Sequence, residues 1–204
     1  MRIRFIARFV LAAVAVATAS CGDVIRQGQA PVVLVVNTLG ATQGSKPGTF
    51  GNPLNSDVIT NVTTPLPCSP TSPCPTIFND IGQVVLSLAP KDASIAPTSN
   101  NQVTITRYHV EYMRTDGRNT QGVDVPFAFD AGLTGTVPQT GSVTLPFEIV
   151  RSTAKQEAPL RELDTNPGII NTIAKVTFYG RDLVGNDISV TAQMQVNFAN
   201  FGDQ

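Results

Sequence analysis

Tryptophan is absent from this chain and histidine occurs once, at position 109. Charged residues make up only 14%, well under the roughly 25% of an average soluble protein. These scarcities exclude function classes at once. A zinc site needs about four Cys, His or carboxylate ligands, and one histidine with three cysteines is a poor supply. Histidine-based acid–base chemistry could use only His109. Sugar stacking on indole rings is impossible, and the formal net charge of −1 leaves no basic excess for phosphates. Without the first twenty residues, which hold Arg2, Arg4 and Arg8, eleven basic groups face fifteen acidic ones, a balance of −4. Nucleic acid is therefore not an expected partner. Hydrophobic residues at 42% of 204 suffice for a packed core.

What is present begins at the N-terminus. Residues 1–8 hold three arginines and no acid, residues 9–17 are an unbroken apolar run, and Thr18, Ala19 and Ser20 are small. A charged start, a short apolar stretch and a small-residue end describe a secretory signal peptide over residues 1–20. The run is far shorter than the roughly 20 residues a membrane span needs. Thr18-Ala19-Ser20-Cys21 resembles the lipobox of bacterial lipoproteins, with Thr18 where that family usually carries Leu. The resemblance implies a lipid-modified Cys21 at the mature N-terminus and a short tether over residues 21–30. The competing cut, after Ala17-Thr18-Ala19, releases a soluble chain that starts at Ser20. Three cysteines decide between the two, because an exported protein with an odd count leaves one thiol to explain. Lipidation of Cys21 leaves Cys68 and Cys74 as a pair, expected to form a disulfide in an oxidising compartment. Gly22, in place of the Asp that marks inner-membrane retention in such lipoproteins, points by the same resemblance to the outer membrane.

Period-two alternation dominates the rest. Residues 31–36 (Pro-Val-Val-Leu-Val-Val) are too short for a helix and predict a first strand; residues 40–55 form a long loop and residues 56–62 a short strand. Val84, Leu86 and Leu88 share one face. Val103 and Ile105 share a phase that Tyr108, Val110 and Tyr112 do not, and the slip near Thr106 and Arg107 predicts a β-bulge. Asp116-Gly117 signals a hairpin turn. Val143, Leu145, Phe147 and Ile149 alternate around Pro146, which confines that strand to a sheet edge or a bulge. Ala174, Val176 and Phe178, then Ile188 through Phe198 by twos, predict a long closing hairpin. The helix candidate covers residues 152–163, broken by Pro159.

Between the last two strands stands Asp182-Leu183-Val184-Gly185-Asn186. It resembles the Asp-x-x-Gly-Asn turn of bacterial immunoglobulin-like and fibronectin-III-like domains, which are mostly structural or adhesive modules. The expectation is an all-β protein: one antiparallel immunoglobulin-like sandwich over residues 31–204, with long N-terminal loops and one short helical segment.

No residue set argues for catalysis. Ser152-Thr153-Ala154-Lys155 spells Ser-x-x-Lys, but the companion Ser-Asp-Asn and Lys-Thr-Gly elements are missing; Ser152 is read as a helix N-cap. His109 shares a strand face with Arg107 and Glu111 and lacks a nucleophile elbow. Asp124 with Asp130, or Glu157 with Glu162, could in principle serve a glycosidase as a carboxylate pair, but acids scattered in loops are normally solvated. Asn61-Val62-Thr63 fits a glycosylation sequon that a bacterial lipoprotein would not ordinarily use. The expectation is a non-catalytic, lipid-anchored envelope protein without cofactor or metal, acting on an envelope protein partner. The alternatives are a glycan- or small-ligand-binding lipoprotein, favoured by exposed Tyr or Phe at one end, and an envelope hydrolase, which would need a pocket joining His109 to a Ser and an Asp.

Overall fold

The computed structural model describes residues 29–94, 96 and 98–202; the signal peptide, Cys21 and most of the tether lie outside the described residues. The fold is an all-β sandwich. One sheet joins β1 (Val32–Thr42), β5 (Asp80–Pro90) and β8 (Ser142–Val150) in the order β1-β5-β8. The facing sheet runs β2-β10-β9-β6-β7, from β2 (Leu54–Asp57), β10 (Asp187–Ala199), β9 (Ile170–Asp182), β6 (Val103–Met113) and β7 (Phe129–Val137). A small ladder of β3 (Thr60–Val62) and β4 (Cys74–Thr76) stands apart.

The alternating residues meet between the sheets. Val84 and Leu86 of β5, Phe147 and Ile149 of β8, Val110 of β6, Val176 and Phe178 of β9, and Val196 and Phe198 of β10 are all buried. Phe147 lies edge-on to Tyr108 at 5.1 Å and to Phe178 at 5.3 Å, the arrangement ring quadrupoles favour. Gly82 pairs with Phe147 across the ladder. A Cβ there would fall 2.5 Å from the Phe147 ring, so only glycine lets the ring cross β5. β8 is an edge strand, as Pro146 requires. Tyr108 reaches over from the other sheet, donating to the Glu148 carbonyl at 3.0 Å and accepting from the Glu148 amide at 3.1 Å. Tyr112 donates to the Ile149 carbonyl. Two core tyrosines thus satisfy backbone groups of an edge strand, and burial holds both phenols above their ordinary pKa.

Several expectations need revision. β1 continues to Thr42 through an irregularity between Val36 and Thr38. Residues 56–62 do not form one strand: β2 and β3 flank the bend at Val58 and Ile59. β2 also runs parallel to β10, so the sandwich is not wholly antiparallel. Asp116-Gly117 turns the chain, with Gly117 at φ 81°, but opens a loop over residues 114–128 rather than a tight hairpin. β7 had no clear apolar signature because Ala131 and Gly135 thin its inward row of Phe129, Leu133 and Val137. The helical segment is α1 (Ser152–Lys155) followed by a 3₁₀ turn (Leu160–Asp164) after Pro159. Ser152 is the first helical residue and not the N-cap, which is Arg151. The Asn79 side chain accepts the Ser152 amide at 2.6 Å instead.

Candidate functional site

The predicted bulge builds the most structured polar surface. Between Ile105 and Arg107 the register of β6 shifts against both neighbours. That shift aligns Arg107 with Tyr179, His109 with Thr177 and Glu111 with Lys175, all on the outer face. The Arg107 guanidinium stacks 3.7 Å from the centre of the Tyr179 ring, a cation–π contact that holds both side chains flat on the sheet. Asp130 of β7 accepts from Arg107 at 3.0 Å and lies 3.1 Å from His109 Nδ1. Arg107 and Asp130 are more than half exposed, so water and salt screen this cluster and each pair adds little stability.

Beside it, a cleft of about 410 Å³ is lined by Thr106, Arg107, Tyr179, Gly180, Arg181, Asp187 and Ile188. Arg181 is engaged by Asp187. The cleft offers hydroxyl, guanidinium and carboxylate groups to a polar ligand. His109 and Asp130 are two members of an acid–base relay, but the residues in register with His109 are Asp130 and Thr177, and Thr177 hydrogen-bonds Thr191 at 2.9 Å. Neither described residue in register with His109 is a serine.

The other sequence candidates are dispersed. Lys155 does not turn toward Ser152: its amine pairs with Asp80 at 2.9 Å, both side chains 1% exposed. Asp80 also accepts from the Ser56 hydroxyl at 2.5 Å and the Gly44 amide at 3.0 Å. Here Ser, Asp and Lys meet inside the protein, with Ser56 0% exposed. The cluster pins α1, β2 and the loop before it onto the start of β5. A groove of about 370 Å³ above it is lined by Val58, Ile59, Ile77, Lys155, Gln156, Leu160, Arg161 and Asp164. Asp124 accepts the Thr120 amide inside its own loop, while Glu157 and Glu162 are exposed. Among the described residues no group of three His, Cys, Asp or Glu side chains could hold a metal ion.

Cys68 and Cys74 are joined, their Cα atoms 5.4 Å apart, tying off the proline-rich loop that enters β4. Tyr179 lies on the outward phase of β9, and sequence reasoning did not pair it with Arg107. Counting the bulge as one extra residue before matching β6 to β9 would have paired them. Asp182 closes the β9–β10 turn: its carboxylate accepts the Val184 amide at 3.0 Å, and both the amide and the side-chain nitrogen of Asn186 at 2.8 Å. The chain matches no protein-family model, and no curated protein matches it.

Proposed function

We propose that this chain is an exported, lipid-anchored protein of the bacterial envelope, most simply of the outer membrane, whose sandwich serves as a non-catalytic interaction or structural module. Cysteine pairing carries the reading. The bridge between Cys68 and Cys74 uses two of the three thiols, which leaves Cys21, at the end of a signal-peptide pattern, for acylation. Several acyl chains on one residue exceed the two-signal threshold for stable anchoring. Strand order supports the immunoglobulin-like assignment. In such sandwiches strands A, B and E share one sheet and C, F and G the other, with C′ beside C in the larger type. The orders β1-β5-β8 and β10-β9-β6-β7 fall into those places as A-B-E and G-F-C-C′. The Asp182 turn then joins F to G, and β2 to β4 are an insertion between A and B.

Crosslinking in intact envelopes, followed by affinity recovery and mass spectrometry, tests the module reading, with Cys21→Ser as the unanchored control. One envelope protein recovered in near-equal amount is the expected result. Recovery of no protein would favour the second reading, a lipoprotein that holds glycan or another small polar molecule, for which the cleft beside Arg107 and Tyr179 is the specific observation.

A further inference from the structure

Two features meet at one end of the sandwich. The first is the start of the domain. Val32 pairs with Pro90, and the Lys91 amide donates to the Pro31 carbonyl at 2.9 Å. A cleft lined by Pro31, Val32 and Pro90 also includes Thr98 and Asn101, so the chain is still at this end when it enters β6 at Val103. Val103 in turn pairs with Asp182. The second feature is therefore the β9–β10 turn, whose Leu183 and Val184 are 60% and 71% exposed. Asp182 grips the turn from within and Gly185 sits at φ 95°. The hydrogen bonding that closes the turn directs these two apolar side chains outward. Arg181 and Asp187 form an ion pair one step behind them, so an apolar tip stands on a polar collar.

We propose that Leu183 and Val184 insert into the headgroup–acyl boundary of the bilayer that carries the lipid on Cys21, making a second contact that sets the sandwich upright. The proposal rests on the anchor reading above. Residues 22–30 reach at most about 30 Å when fully extended, whereas the thirteen residues of β9 alone run about 43 Å. The tether thus keeps the end with the Leu183–Val184 tip beside the membrane. Two side chains are a weak membrane signal alone, but a covalent anchor converts their insertion into an intramolecular step at high effective concentration. With the tip inserted, the opposite end, bearing the disulfide loop and exposed Val123 and Phe127, is held away from the bilayer.

The absence of tryptophan makes the test clean. The chain from Cys21 onward, with Cys68 and Cys74 bridged, is coupled through the Cys21 thiol to maleimide lipid in phosphatidylcholine–phosphatidylglycerol vesicles, with or without brominated acyl chains. Coupling bypasses cellular lipidation, so failure of the anchor reading, seen as an unmodified Cys21 in cells, is separate from failure here. The Val184→Trp indole is expected to lose more than half its emission to brominated lipid, and the Phe127→Trp indole at the far end almost none. An indole favours membrane interfaces by itself, so the unsubstituted domain is also coupled. Headgroup nitroxide should broaden the Gly185 amide resonance at least severalfold more than that of Gly117, and Leu183→Asp should remove the difference. Equal quenching at both positions, or equal broadening of both amides, overturns the proposal. So does a concentration-dependent blue shift of the Val184→Trp emission without vesicles, which would assign the tip to a second copy of the chain.

Discussion

Four ionisable residues in the described fold have consequences that can be measured: the Lys155–Asp80 pair, Asp116 and Glu148. Lys155 and Asp80 are a buried pair, and removing one partner of such a pair typically costs about 3–5 kcal/mol, because the other charge is left unsolvated. Lys155→Met should lower the free energy of urea unfolding by that amount, and adding Asp80→Asn should recover part of it. Asp116 behaves differently. Hydrogen bonds from Arg114 and Arg118 hold its carboxyl well below the usual carboxylate range. A depressed carboxylate stabilises the fold above its unfolded value near 4, and that contribution is lost as pH falls toward its folded value. Glu148 has the opposite sign, since burial raises its pKa and its ionisation opposes folding. Urea midpoints measured from pH 3 to 7 should therefore fall less steeply toward acid in Asp116→Asn than in the parent, while Glu148→Gln should gain most near neutral pH. The Asp116 effect should shrink in high salt because the group is at the surface. None of these pairings was legible beforehand. Lys155 and Asp80 lie far apart in the chain, and charge on a short helix next to a proline reads as solvated until the fold closes over it.

Elements were legible in proportion to the length of their alternation. The β9–β10 hairpin, the two phases of β6 and the edge position of β8 follow from side-chain parity and from Pro146, and the structure has all three. β7 escaped because Ala131 and Gly135 leave its inward row with only Phe129, Leu133 and Val137 as large apolar side chains. β2 escaped because Leu-Asn-Ser-Asp carries no period, and its parallel pairing with β10 depends on a contact between distant segments. The loop after Gly117 was not legible because a turn signal fixes local geometry and not the path of the chain beyond it. At this scale the β9–β10 turn offers a direct check. Gly185 holds a left-handed backbone at φ 95°, where a Cβ costs roughly 1–2 kcal/mol, although nothing would clash with the added atom. Gly185→Ala should lower stability by that amount in thermal unfolding, and Gly117→Ala, in the loop at the other end and also at positive φ, should cost a similar amount.

At the scale of the whole molecule, fold class came from composition and parity, whereas the outer-face cluster emerged only once the bulge had set the register between β6 and β9. The proposed function depends on what the single unbridged cysteine does. Cys68→Ser with Cys74→Ser should cost no more than about 2 kcal/mol, since the bridge closes a short loop, and should leave membrane fractionation unaltered. Cys21→Ser should instead move the protein into the soluble fraction. The most direct measurement is the mass of the N-terminal peptide of the mature protein isolated from cell envelopes. A peptide that begins at Cys21 and carries diacylglyceryl and amide-linked acyl groups is the predicted result. A peptide that begins at Ser20 with an unmodified Cys21 would contradict the anchor, and with it the proposed place of this sandwich at the membrane.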